Sequence, residues 1–177
     1  TTMLRQRADW AGIGALSDDA MIATLDQWLA PLLAGKRRLP DIAAEALHSA
    51  VWALLGWEGQ QQLSKLAPAQ FASPAGSMHE IDYAAIAGPT VTLRVQALFG
   101  LSEHPVIGPE RTPLVLSLTS PAGRPIQTTR DLPGFWRGSW ADVAKDMRGR
   151  YPRHNWPDDP TQAVASLKTK KALDRQG

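Results

Sequence analysis

The residues with the clearest chemical potential lie between Arg124 and Asp159. There Phe135, Trp136, Trp140, Tyr151 and Trp156 are interleaved with Arg124, Arg130, Arg137, Lys145, Arg148, Arg150, Arg153 and His154. Single-stranded nucleic acid is held by that combination. Lys and Arg track the phosphates while bases stack on aromatic faces, at about 1–3 kcal/mol per base, and RNA-binding proteins use the same parts. The candidate nucleic-acid contacts are therefore Arg130, Arg137, Lys145, Arg148, Arg150, Tyr151, Arg153, His154 and Trp156. A structural reading competes with this one. Large indoles more often anchor a core or an interface, so Trp136, Trp140 and Trp156 could pack inside the domain or on a neighbour. Asp158 and Asp159 could then pair with Arg150 or Arg153 and neutralise the strip.

Catalytic constellations are weaker. A nucleotide hydrolase needs a glycine-rich loop ending in Gly-Lys-Ser/Thr, whose backbone N–H groups cradle phosphates. The only Gly-Lys pair, Gly35-Lys36, has Ala30 in place of the first glycine and Arg37 in place of the hydroxyl residue, and no DEAH sequence is present. The run His79-Glu80-Ile81-Asp82 superficially suggests a metal site. On a strand, however, His79 and Glu80 point to opposite faces, and the second histidine of a His-Glu-x-x-His motif is replaced by Tyr83. His48 sits one residue from the Leu47 face of a helix and reads as a boundary residue. Ser102, Glu103 and His104 lack the glycines of a nucleophile elbow. No catalytic residue, metal ligand or cofactor is assigned to this chain, and without cysteine it has neither a disulfide framework nor thiolate ligands.

The elements that would position the basic-aromatic stretch follow from periodicity. Ser17 is expected to cap a helix whose Ile22, Leu25, Trp28, Leu29, Leu32 and Leu33 recur at three- and four-residue spacing, kinked or ended by Pro31. Asp41 is expected to cap a second helix running to Gly56, with Leu47, Ala50, Val51, Leu54 and Leu55 buried, and Trp57–Leu66 a third. The basic turn Lys36-Arg37-Arg38 between them suits a helix C-terminus, although it could touch phosphate. From Pro68 the period becomes two. Strands are expected around Ala69–Ser73, Met78–Ala84, Thr90–Gln96 with Val91, Leu93 and Val95 inward and Gln96 outward, the Leu114–Leu118 run, and Arg124–Thr129, the last at an edge because of Pro125. Ser139 and Asp142 have capping-box spacing before a short helix ending at Gly149, with Trp140, Val143, Ala144 and Met147 facing the core and Lys145 and Arg148 pointing away. The expected fold class is α+β. A helical subdomain over 1–67 precedes a small antiparallel sheet or barrel over 68–160, OB-like among its options and closed by a C-terminal helix, and a flexible basic tail covers 161–177.

The net charge of +2 conceals an asymmetry. Residues 1–123 carry 8 Lys and Arg against 11 Asp and Glu, whereas residues 124–177 carry 11 against 6. Concentrating base at one end suits a single polyanion-facing region, although a solvated charged surface would look the same. A 44% hydrophobic content is enough for a soluble core, and no signal peptide or long apolar run is present. No membrane partner and a cytoplasmic location are therefore expected. The chain opens Thr1-Thr2 without Met, so a piece of a larger protein is expected.

Three blocks carry a resemblance to a known family: Leu93–Gly100 (LRVQALFG), Pro113–Trp136 (PLVLSLTSPAGRPIQTTRDLPGFW) and Gly138–Pro160 (GSWADVAKDMRGRYPRHNWPDDP). With its helical lead-in and lysine-rich end, nearly the whole chain resembles the C-terminal region of the HrpB family, bacterial DEAH-box ATP-dependent helicases. The resemblance implies an accessory region beside an ATPase core, with ATP and Mg²⁺ bound by domains upstream. It also implies RNA or single-stranded nucleic acid and the upstream helicase domains as partners. One position departs from the pattern, since Ala97 stands where an acidic residue is expected before Leu98-Phe99-Gly100. The chain by itself is expected not to be an enzyme. It either adds RNA contacts or positions the core, or it clamps helicase domains or a protein partner through its FW and WPDDP segments.

Overall fold

The computed structural model describes residues 1–175, and Gln176 and Gly177, the end of the expected basic tail, lie outside the described residues. The chain forms two compact units, one of Thr1–Ala69 with Ile107–Thr112, the other of Gln70–Val106 with the described residues from Pro113 onward.

The first unit is helical. It begins with α1 (Thr2–Trp10), which buries Leu4 and Ala8. The single amphipathic helix expected after Ser17 is instead three short ones, α2 (Asp18–Ala23), α3 (Leu25–Trp28) and α4 (Ala30–Leu33). Ser17 does cap α2, its Oγ accepting from the Ala20 N–H at 3.3 Å. The breaks precede Pro31. The Thr24 hydroxyl donates back to the Ala20 carbonyl at 2.8 Å, a competing bond that bends helices, and Pro31 then falls in the first turn of α4, where its missing N–H costs nothing. Asp41 caps no helix; it ends a 3₁₀ turn, Leu39–Asp41, and α5 (Ala44–Leu54) starts after Ala43 without a side-chain cap. Gly56, at φ +63°, lets the chain pass straight into α6 (Gly56–Leu66). The unit is closed by backbone carbonyls near the end of α6: Leu66 O accepts from the Gly108 N–H at 2.8 Å and Ala67 O from Arg7 Nε at 2.8 Å.

The second unit is built on an open sheet. Strands β1 (Gln70–Ala72), β2 (Met78–Asp82) and β3 (Thr90–Arg94) run antiparallel as a meander. The short strands β4 (Val106–Ile107) and β5 (Thr112–Pro113) make a separate two-stranded sheet, and β6 (Val115–Thr119) and β7 (Pro125–Thr129) complete the main one in the order β1-β2-β3-β6-β7. The α+β class is as expected, and of sheet and barrel it is the sheet that forms. One pairing corrects the all-antiparallel expectation. β6 lies parallel to β3, with Val91 opposite Leu116 and Leu93 opposite Leu118. Parallel pairing needs a long crossover, which residues 95–114 supply. Central placement explains why four of the five β6 residues are buried, since a strand covered on both faces reads as a continuous apolar run. β7 is an edge strand, as its proline requires.

Strand β3 ends earlier than alternation suggests. Val95–Leu98 is a 3₁₀ turn in which all four residues are buried, so Gln96, expected outward, is 1% exposed. Ala97 is fully buried in the same turn, where a carboxylate would be stripped of water. Three helices follow the sheet, α7 (Leu132–Arg137), α8 (Trp140–Arg150) and α9 (Lys170–Asp174). Pro160 O, at the end of the expected β-rich domain, accepts from the Gly100 N–H at 2.8 Å, and in the segment expected as a flexible tail the Lys170 N–H donates to Arg153 O at 2.8 Å.

His104 ties the start of β6 to the start of α7. Its Nε2–H donates to Leu114 O at 2.7 Å and its Nδ1 accepts from the Leu132 N–H at 3.0 Å, an arrangement that only the neutral ring can make. Burial lowers its pKa below 6.5, against smaller raising effects from the Leu114 carbonyl and Asp131. The unfolded chain therefore takes up the proton first as pH falls. The contribution is complete above about pH 6.5 and is lost as pH drops through the depressed folded value. Chemical denaturation at pH 7.5 and pH 5.5 should show wild type losing more stability than His104→Gln, and equal losses would remove His104 from the account.

Candidate nucleic-acid interface

The basic-aromatic stretch is folded largely inward. Asp131 caps α7 by accepting from the Gly134 N–H at 3.0 Å, and Pro133 occupies its first turn. Gly138 and Ser139 link it to α8. Ser139 has helical dihedrals and makes no side-chain cap bond, so the capping box does not form. Gly149 likewise is not the left-handed cap, because α8 continues through Arg150 and ends at Tyr151. The helix phase is as expected, with Trp140, Ala144 and Met147 buried.

Trp136, Trp140 and Trp156 are 7%, 1% and 4% exposed, and each indole N–H donates to a backbone carbonyl at 2.9 Å: Leu101, Pro157 and Tyr151 respectively. Phe99, Phe135, Trp136 and Trp156 surround Trp140 with ring centroids 5.4–6.3 Å away. A base has no open face here on which to stack. Tyr151 is half-buried with its hydroxyl 3.2 Å from Ser120 Oγ. His154 Nδ1 accepts from Gln96 Nε2 at 2.9 Å, which leaves Gln96 Oε1 as a buried oxygen without a partner.

The cations divide into engaged and free. Arg148 donates through Nε and Nη2 to Trp156 O at 3.1 and 2.6 Å, and its Nη2 also reaches Asp158 at 2.7 Å. Arg150 pairs with Asp146 one turn earlier at 3.1 Å, and Arg130 donates to Ala87 O. Asp158 thus meets Arg148 rather than Arg150 or Arg153. Exposed ion pairs of this kind contribute at most about 1 kcal/mol, so the Arg148 grip on the Trp156 carbonyl is the stronger element. Arg137, Lys145 and Arg153 are exposed and form no ion pair among the described residues. A cavity of about 390 Å³ between β7 and α8 includes Arg124 and Arg150 but also Asp142 and Asp146 in its lining. Balanced charge gives it no pull on an anion.

Elsewhere, His79 Nε2 lies 2.7 Å from Ser77 Oγ, which lies 2.7 Å from Ser73 Oγ, a network that closes the β1–β2 turn. Burial lowers the His79 pKa. Among the described residues no group of three or more His, Asp or Glu could hold a metal ion, and no helix is long and apolar enough to cross a membrane. Sequence reasoning missed the inward Gln96, the clamping His104 and the exposure of Trp57, 77% open at the start of α6. A polar residue continuing an alternation carries no sign that its strand stops, and Trp57 shares its helix with the buried Leu63.

Comparison with known proteins adds the family. A family model described as ATP-dependent helicase C-terminal (HrpB_C) matches residues 28–160. The chain is 41% identical over 163 residues to the ATP-dependent RNA helicase HrpB of Escherichia coli K12, a match covering 92% of this chain and 20% of that protein. Two crystal structures resemble it. The E. coli DExH-box NTPase HrpB superposes with a TM-score of 0.81 at 39% identity, over 95% of this chain and 21% of that one. The E. coli DEAH/RHA helicase HrpB gives 0.67 at 37% identity, over 88% and 20%. The chain therefore spans about a fifth of the length of these relatives.

Proposed function

Because this chain belongs to the HrpB family of ATP-dependent helicase C-terminal regions, we propose that it is a non-catalytic accessory module that docks on, and so positions, the other domains of a cytoplasmic RNA helicase. ATP and Mg²⁺ are handled by those domains, since the chain itself carries no phosphate-binding loop. The observation that carries this reading is the closed aromatic cluster. Three indoles are buried with their N–H groups satisfied by the unit's own carbonyls, so the stretch locks its own unit together and offers no row of stacking platforms.

A second reading keeps RNA as a direct partner, and exposed Arg137, Lys145 and Arg153 favour it. Contacts made by these three alone would be to phosphates. Labelled single-stranded RNA titrated at two salt concentrations separates the readings. Docking without RNA contact predicts no binding at low salt. Phosphate-only contact predicts a slope of log affinity against log salt of roughly −2, at about 0.7 per contact, with Tyr151→Ala leaving affinity unchanged. A Tyr151→Ala loss of about 1–3 kcal/mol in binding without loss of fold would restore the stacking surface and overturn both.

A further inference from the structure

The α2–α4 segment is where sequence pattern and burial disagree most. Ile22, Leu25, Trp28, Leu29, Leu32 and Leu33 recur at helical spacing, the signature of a helix that packs one apolar face. None of the three helices contains a buried residue, and Ile22 and Leu25 are 66% and 39% exposed. Helices of six, four and four residues are far below the length at which isolated helix persists, so they depend on packing. What holds the segment is largely local, namely the Ser17 cap, the Thr24 back-bond and a Trp28 indole N–H donating to Met21 O at 3.0 Å, with Asp18 paired to Arg5 of α1 and Trp28, Leu29, Leu32 and Leu33 only half-buried. Leu39, 63% exposed, extends the apolar surface beyond α4.

We propose that α2–α4 is a docking strip covered by another domain of the same helicase polypeptide. This rests on the docking reading above and names the surface that does it. The occupant is argued from chain length. The relative at 41% identity is matched over only 20% of its length, so four-fifths of such a polypeptide is available to cover a strip that this chain leaves open. Covalent linkage would hold those domains at high effective concentration, allowing a strip of modest area to stay closed. Charge gives RNA no net attraction to the strip, because Asp18, Asp19 and Asp26 along α2 and α3 offset Lys36, Arg37 and Arg38 between α4 and Leu39.

Amide hydrogen exchange compares the 177-residue chain alone with a helicase polypeptide that carries it at its C-terminus. Amides of residues 20–33 should exchange at least about tenfold more slowly in the longer polypeptide. Ile22→Asp with Leu25→Asp should abolish that difference while β6 amides stay protected, showing that the fold is intact. Equal exchange of 20–33 in the two proteins overturns the strip. If other surfaces of the chain gain protection in the longer polypeptide, the docking reading survives and only the strip fails; if none does, both fail. Protection of the isolated chain that grows with its concentration, or that appears only when single-stranded RNA is added, overturns the proposal in favour of a second copy or of nucleic acid.

Discussion

Trp140→Ala is expected to destabilise the second unit by roughly 3–5 kcal/mol, the range for truncating a buried large aromatic. Trp140 is 1% exposed and belongs to the largest fully buried side chains. It is the hub of the aromatic cluster, edge-on to Phe99 and Trp136 at 5.4 Å and within 6.3 Å of Trp156. Such ring pairs add about 0.5–1.5 kcal/mol beyond area burial. Its N–H also holds Pro157 O at 2.9 Å, so the substitution strands a carbonyl and opens a cavity together. Across the 177-residue chain the loss corresponds to a fall in Tm of roughly 6–20 °C. Trp140→Phe, which keeps a ring but drops the N–H, should cost distinctly less. A melting temperature unmoved by Trp140→Ala would place the indole on the surface and dissolve the lock.

Gly108→Ala should cost roughly 2–5 kcal/mol in the first unit, from two separable causes. Gly108 adopts φ +76°, where an L side chain costs about 1–2 kcal/mol. An added Cβ would also lie 2.4 Å from the Trp10 carbonyl oxygen, which is backbone and cannot rotate away, and overpacking of this kind adds about 1–3 kcal/mol. The same residue donates its N–H to Leu66 O, a bond that any shift would lengthen. Gly123 provides the control, since it has φ +79° and a Cβ added there would meet nothing within 4 Å. Gly123→Ala should show only the conformational cost, and denaturant titration of the two variants reads the steric part as their difference. Equal effects would show that the Trp10 carbonyl yields at no cost.

Much of the fold was legible because it rests on local chemistry. The switch from period-three-to-four to period two at Pro68, the β1–β2 turn, the edge position of β7 and the core face of α8 all follow from residue spacing and proline geometry. These are decided within a few residues along the chain. The family resemblance was legible for the same reason, being carried by contiguous blocks. Short helices were the weak point. Capping assigned from Ser139 and Asp41 failed because a nearby hydroxyl or carboxylate caps only if the backbone leaves helical geometry there, and that is settled by how the preceding segment enters.

Only the tertiary structure decided which side chains of the basic-aromatic stretch are buried. Its composition suits a nucleic-acid surface, yet Trp136 and Trp140 close on Phe99 from elsewhere in the unit and on neighbouring Phe135, Trp140 packs against Trp156, and Arg148 and Arg150 are held by Trp156 O, Asp158 and Asp146. An indole and a guanidinium serve a core or a ligand equally well, and the choice depends on what lies across space. The parallel β3–β6 pairing and the inward Gln96 were hidden for the same reason, because both depend on residues far apart along the chain. Residue types and spacing along the chain determined the helical character of the region from Ser17 to Leu66, the helix α8, the five strands of the main sheet and the family the protein belongs to. Long-range packing determined which side chains remain free to bind, since burial is a property of neighbours that sequence distance does not record.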